Sequence, residues 1–124
     1  AGDVNGDGVA DLIVAGGPAG GPRVRIASGA GLFAARNTRF VNLDGVPSAR
    51  INDFTAANAN NTGDVRVSAR DLDGDGFADV LTGAGNGSSQ IAAYRGSNLA
   101  TGATPTVFYT VDPFGAFAGG VFIG

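Results

Sequence analysis

Asp71-Leu72-Asp73-Gly74-Asp75-Gly76-Phe77-Ala78-Asp79-Val80 decides how the chain folds, because it occurs twice. The other copy is Asp3-Val4-Asn5-Gly6-Asp7-Gly8-Val9-Ala10-Asp11-Leu12, 68 residues earlier. Each copy puts side-chain oxygens at its first, third, fifth and ninth positions. In the first copy these are Asp3, Asn5, Asp7 and Asp11; in the second, Asp71, Asp73, Asp75 and Asp79. Glycines between them (Gly6, Gly8, Gly74, Gly76) permit the left-handed backbone of a tight curl. Carboxylates crowded into so few residues repel one another unless a cation is shared. The donor set is all hard oxygen, which suits calcium, with the carbonyls of Val9 and Phe77 as further ligands. The expectation is two calcium ions per chain, held by Asp3, Asn5, Asp7, Val9 and Asp11, and by Asp71, Asp73, Asp75, Phe77 and Asp79.

Working outward, both loops are flanked by short β-branched runs. Val65 to Ala69 alternates into the second loop, and Asp79-Val80-Leu81-Thr82-Gly83 leaves it. Asp11-Leu12-Ile13-Val14-Ala15 leaves the first. Glycine-rich turns follow, then a third strand in each unit: Arg23-Val24-Arg25-Ile26, with Val24 and Ile26 on one face, and Gln90 to Tyr94. The fourth strand is expected at Thr106 to Val111 in the second unit and at Arg39 to Leu43 in the first. A polar surface insertion of roughly a dozen residues then falls around Asp44 to Asn61. No strand precedes the first loop. Val121-Phe122-Ile123-Gly124 followed by Ala1-Gly2 would supply one in register, which implies a unit split between the two chain ends. The expected division is 1–62, a first unit whose innermost strand comes from residues 121–124 of a chain end; 63–120, a second unit; and 121–124, a closing strand.

Composition narrows the chemistry. The 124 residues include 22 glycines and no cysteine, histidine or methionine, so disulfides, thiolate sites and imidazole bases are excluded. All 11 acidic residues are Asp and all 8 basic residues are Arg. Asp favours caps and turns over helix interiors, and this composition points to an all-β chain with many turns. Net charge is −3, and seven of the aspartates lie in the two loops, so the acidity is local. The stretch contains no signal peptide and no membrane span is expected. The eight arginines form no stripe interleaved with stacking aromatics, so no nucleic-acid partner is expected. For acid–base catalysis only Asp44, Asp53, Asp64, Asp112, Tyr94 and Tyr109 remain outside the loops. No spacing brings Asp44 and Asp53 together, and no catalytic residue is assigned.

The loop shares D-x-[DN]-x-D-G with EF-hands. An EF-hand needs an acid at position twelve and helical flanks, whereas Val14 and Thr82 stand there and the flanks read as strands. The pattern D-x-[DN]-G-D-G-x-x-D, followed by an apolar strand and a glycine-rich turn, resembles the FG-GAP repeat of integrin α-subunit heads and secreted bacterial propellers. Phe114-Gly115, Ala15-Gly16-Gly17-Pro18 and Gly83-Ala84-Gly85-Asn86 echo its name-giving segments, loosely in the first unit, where Phe54-Thr55 stands in the FG place. The resemblance covers nearly the whole chain. It implies four-stranded antiparallel β-propeller blades, two per chain, with a structural calcium on one rim and any carbohydrate or protein ligand on the other. It also implies an extracellular or cell-surface location but is not specific for any activity; the residues available for acid–base work make a non-enzymatic scaffold the expectation, with a hydrolase as the lesser alternative. Two blades fall short of the about four to eight that close a propeller. A homo-oligomer is therefore expected, a trimer giving six blades or a tetramer eight, with a fragment of a longer or designed propeller as the competing reading.

Overall fold

The computed structural model describes residues 1–36, 43–45, 49–56 and 64–124. Its elements run β1 (Leu12–Ala15), β2 (Arg23–Ala27), α1 (Gly29–Ala34), β3 (Arg50–Thr55), β4 (Val65–Arg70), β5 (Asp79–Ala84), β6 (Ile91–Tyr94), α2 (Gly96–Leu99) and β7 (Val107–Val111). They form two antiparallel sheets in sequential order, β1-β2-β3 and β4-β5-β6-β7. Among the described residues the structure is all-β apart from two short helices. Two sheets do not make a closed ring.

The second sheet follows the alternation in its sequence. Val65, Val67 and Ala69 of β4 lie opposite Ala84, Thr82 and Val80 of β5, and Thr82 and Val80 lie opposite Ala92 and Tyr94 of β6. Directly opposed residues share a face in an antiparallel pair. That face meets the first sheet, where Ile13, Val24, Ile26 and Phe54 are buried in the same apolar cluster. Phe54 and Tyr94 bring their rings to 4.9 Å at a tilt of 57° across this contact. Two hydrogen bonds cross it as well: Asn52 Nδ2 donates to Leu99 O at 2.9 Å and to Ala103 O at 3.1 Å.

The two sheets stack front to back. Leu12 and Val14 of β1 occupy the repeat positions of Val80 and Thr82 of β5. Val80 and Thr82 are fully buried against the first sheet, while Leu12 and Val14 are 47% and 40% exposed. Conversely, Ile13 faces the interior while its counterpart Leu81 lies on the far side of the second sheet. Like faces therefore point the same way around the molecule, and each end of the stack presents the face the other end is built to meet.

The first unit departs from expectation in one strand. The partner of β2 is β3 at Arg50–Thr55, inside the stretch read as surface loop. Of the strand expected at Arg39 to Leu43, Arg39 to Asn42 lie outside the described residues, and Leu43 stands in a turn. The dozen extra residues thus precede the outer strand rather than follow it. The inward positions of β3 are Asn52 and Phe54, so only one is apolar, and alternation alone does not reveal the strand.

The chain ends also have definite places. Gly2 bridges Asp11, the position equivalent to the Arg70–Asp79 pair at the end of β4 and β5. Beyond it β1 is the edge strand of its sheet. Val121 lies on the far face of the second sheet, donating its N–H to Ala84 O at 2.9 Å and accepting from Arg66 Nη1 at 3.0 Å. The Arg66 guanidinium also covers the ring of Phe122, 3.7 Å from its centroid.

Candidate metal centre

The second aspartate-rich loop joins the edge strand β4 to β5, the first leads from the Gly2–Asp11 bridge into β1, and backbone N–H groups shape both. Asp71 Oδ1 accepts from Gly74 N at 2.7 Å and Oδ2 from Gly76 N at 3.0 Å. Asp3 accepts in the same way from Gly6 N at 2.7 Å and Gly8 N at 2.8 Å. Such closure drives the backbone into the left-handed region at Gly74 (φ 79°) and Gly76 (φ 88°), which a side chain would oppose. Asp75 and Asp7 each turn back on the residue two further on, accepting from Phe77 N at 2.9 Å and Val9 N at 2.8 Å. Asp73 Oδ1 accepts from Asp75 N at 3.3 Å, and Asn5 Oδ1 from Asp7 N at 3.1 Å.

The ninth position behaves differently. Asp11 and Asp79 are fully buried. Asp79 accepts from Leu72 N at 3.0 Å on one oxygen and from Gly96 N at 2.9 Å on the other. Asp11 accepts from Val4 N at 2.8 Å and Asn5 N at 3.3 Å on one oxygen and from Gly29 N at 3.0 Å on the other. Each therefore ties the start of its loop to the first residue of a short helix. Sequence spacing marks both residues as ligands and gives no sign of this second attachment.

In the second loop Asp71, Asp73 and Asp79 each bring one carboxylate oxygen to within 4.8 Å of the others. Calcium lies about 2.3–2.6 Å from each oxygen, so two oxygens on one ion are at most about 5 Å apart. The cluster meets that requirement. Asp75 stands in the loop outside this trio. In the first loop Asn5 replaces the carboxylate of Asp73, leaving Asp3, Asp7 and Asp11 as the charged members. The family model described as FG-GAP repeat matches residues 63–104, a span that holds β4, the loop, β5, β6 and α2. The chain contains an FG-GAP repeat. No curated protein and no solved structure matched the chain. The FG-GAP match covers the second unit as far as Thr104, short of β7; the first unit shares its loop pattern and the hydrogen bonds of its first and ninth positions.

A second charged cluster lies apart from the loops. Arg23 donates Nε to Asp53 Oδ1 at 2.7 Å and Nη2 to Oδ2 at 2.6 Å, and Arg25 Nε adds a bond to Oδ2 at 2.9 Å. Arg25 also reaches Asp44 Oδ1 at 3.0 Å. Asp44 and Asp53 are thus joined through Arg25, which linear spacing does not disclose. The hydrogen bonds from Arg23 hold the Asp53 carboxyl below the usual carboxylate range, against the opposing effect of partial burial. A general acid needs the opposite shift. A depressed carboxyl contributes stability that is present at neutral pH and is lost as pH falls through the folded value, below about 4. Asp53→Asn is therefore expected to lower stability at pH 7 and to approach wild type as pH falls below the usual carboxylate range. Chemical unfolding at several pH values checks this; a difference constant with pH would refute the assignment.

Proposed function

We propose that this chain is a non-enzymatic, calcium-binding β-propeller-type module that assembles with copies of itself into a closed ring. The observation that carries the metal reading is the Asp71, Asp73 and Asp79 cluster inside the FG-GAP match. Calcium bound there supplies a hard divalent charge that offsets the mutual repulsion of the carboxylates. Asp71, Asp73, Asp75, Asp79 and the Phe77 carbonyl would hold one ion, and Asp3, Asn5, Asp7, Asp11 and the Val9 carbonyl a second. Each ion would pin the hairpin between an inner strand and its neighbour.

The non-enzymatic part of the reading is supported by Asp53, whose lowered pKa and two arginine partners keep it ionised and suit an ion-pair post rather than a proton donor. The assembly part is supported by the front-to-back stacking of the two sheets. A head-to-tail contact of that kind makes a ring when its rotation closes. The open inner edge of β1 and the apolar Val121-Phe122-Ile123 segment, which matches Val65-Arg66-Val67 in register, suggest that this segment completes the first sheet of a neighbouring chain. Among the described residues no helix is long and apolar enough to cross a membrane. The extracellular or cell-surface setting usual for FG-GAP repeats is carried over as part of the proposal.

Calcium removal tests the metal reading. At a hundredfold excess over Kd a bound ion stabilises by about 2.7 kcal/mol per site. Excess chelator is expected to lower the melting temperature by roughly 5–10 °C per occupied site, reversed by added calcium. A melting curve indifferent to chelator would exclude a structural ion in either loop.

A further inference from the structure

The two loops differ at a pair of positions together. Loop two has Asp73 where loop one has Asn5, giving it four carboxylates against three. The residue just before each short helix differs too. In the first unit it is Ser28, which caps α1 by accepting from Gly31 N at 3.1 Å. In the second it is Arg95, which makes no cap of this kind. The two are structural equivalents, because the next residues, Gly29 and Gly96, donate to the buried Asp11 and Asp79 in the same way. Arg95 turns toward the loop, its Nε lying 3.2 Å from Asp73 Oδ2, with its guanidinium 5.0 Å from the centre of the Phe108 ring. The extra negative charge and the extra positive charge therefore meet, and each loop with its flanking residue carries a formal charge of −3.

We propose that Arg95 is an affinity-setting residue: a fixed cation that competes with the bound divalent ion for Asp73 and holds the second site to the strength of the first. This rests on the calcium reading above. Asp73 alone would make the second loop the stronger site, since it adds a carboxylate to the same donor frame. Arg95 opposes this in two ways. It occupies one Asp73 oxygen, and it places a positive charge next to the ion. Phe108 on β7, with its ring centre 5.0 Å from the guanidinium, favours this placement beside Asp73.

Arg95→Ala separates this role from a structural one, because the two move affinity in opposite directions. The Arg95 side chain is 55% exposed, so the variant is expected to fold. Calorimetric titration with calcium chloride, and terbium luminescence as a second readout, are expected to show one of the two sites tightening by about three- to tenfold at low salt, an effect that shrinks as ionic strength rises. Arg95→Lys keeps the charge and is expected to restore most of the wild-type affinity. Unchanged or weaker binding in Arg95→Ala, with wild type binding normally, overturns the competition and leaves calcium binding intact. Failure of wild type and variant alike to bind either ion overturns the calcium reading and this inference with it.

Discussion

Asp79→Ala is expected to destabilise the protein by about 2–5 kcal/mol, because it orphans two backbone N–H groups at about 1–3 kcal/mol each. The donors are Leu72 N and Gly96 N, and the carboxylate they share is fully buried. Water cannot replace the lost acceptor without entering that buried position. A domain of this size has roughly 5–15 kcal/mol in total, so the melting temperature should fall by about 10 °C or more. Asp79→Asn is the sharper variant. Its shape is preserved, but whichever way the amide is turned, one of the two N–H groups meets an NH2 instead of an oxygen. It is therefore expected to be destabilising in chelator through the backbone hydrogen bonds alone, and more so with calcium present, where a ligand is also weakened. Thermal melts followed by circular dichroism decide the matter. Asp79→Asn variants that melt with wild type in chelator would show that Asp79 acts as a metal ligand alone. Asp11→Ala should behave alike in the first loop, through Val4 N and Gly29 N.

That double role shows where sequence reading stops. Spacing of aspartates and glycines was enough to find both loops, since a turn that closes on its own N–H groups needs donors and acceptors only a few residues apart. The second sheet was equally legible, because β4 alternates plainly and β5 is an apolar run directly after the loop. Long-range partners were not. Nothing near Asp79 in the chain names Gly96, and nothing near Asp73 names Arg95. β3 was missed because its inward pair is Asn52 and Phe54, and the amide is justified only by Leu99 O and Ala103 O, carbonyls contributed by the other unit. The two short helices escaped for a related reason. α1 buries no residue and α2 only Gly96 and Leu99, too few to show a helical period; their starts are fixed by hydrogen bonds to the buried aspartates. A Cβ at Gly96 would run into the Ala78 carbonyl, a closeness set by this attachment and invisible in local pattern.

The stacking of the sheets leads to the second large effect. Val80 and Thr82 are buried by the first sheet, and their counterparts Leu12 and Val14 are exposed. If further copies continue the stack, a neighbour's far face covers Leu12 and Val14. On the second sheet that face includes Leu81 and Gly83, with Val121 against Gly83. Leu12 and Val14 are 47% and 40% exposed, so covering what remains contributes roughly 1 kcal/mol each at every junction of a ring. Leu12→Asp combined with Val14→Asp removes this and places carboxylates where apolar contact is needed. Within one chain both positions already face solvent, so the fold should be little changed. Native mass spectrometry with calcium present is expected to show wild type as a closed multiple of the chain, a trimer or tetramer, and the double variant as monomer with a wild-type circular dichroism spectrum. A wild type that is monomeric at micromolar concentration removes the ring altogether. A double variant that keeps the wild-type mass removes only this face from it, and leaves strand exchange through Val121-Phe122-Ile123 as the remaining contact. The two contacts are separable because one buries a sheet face and the other pairs the edge of β1, and a ring held mainly by the edge would tolerate charge at Leu12 and Val14.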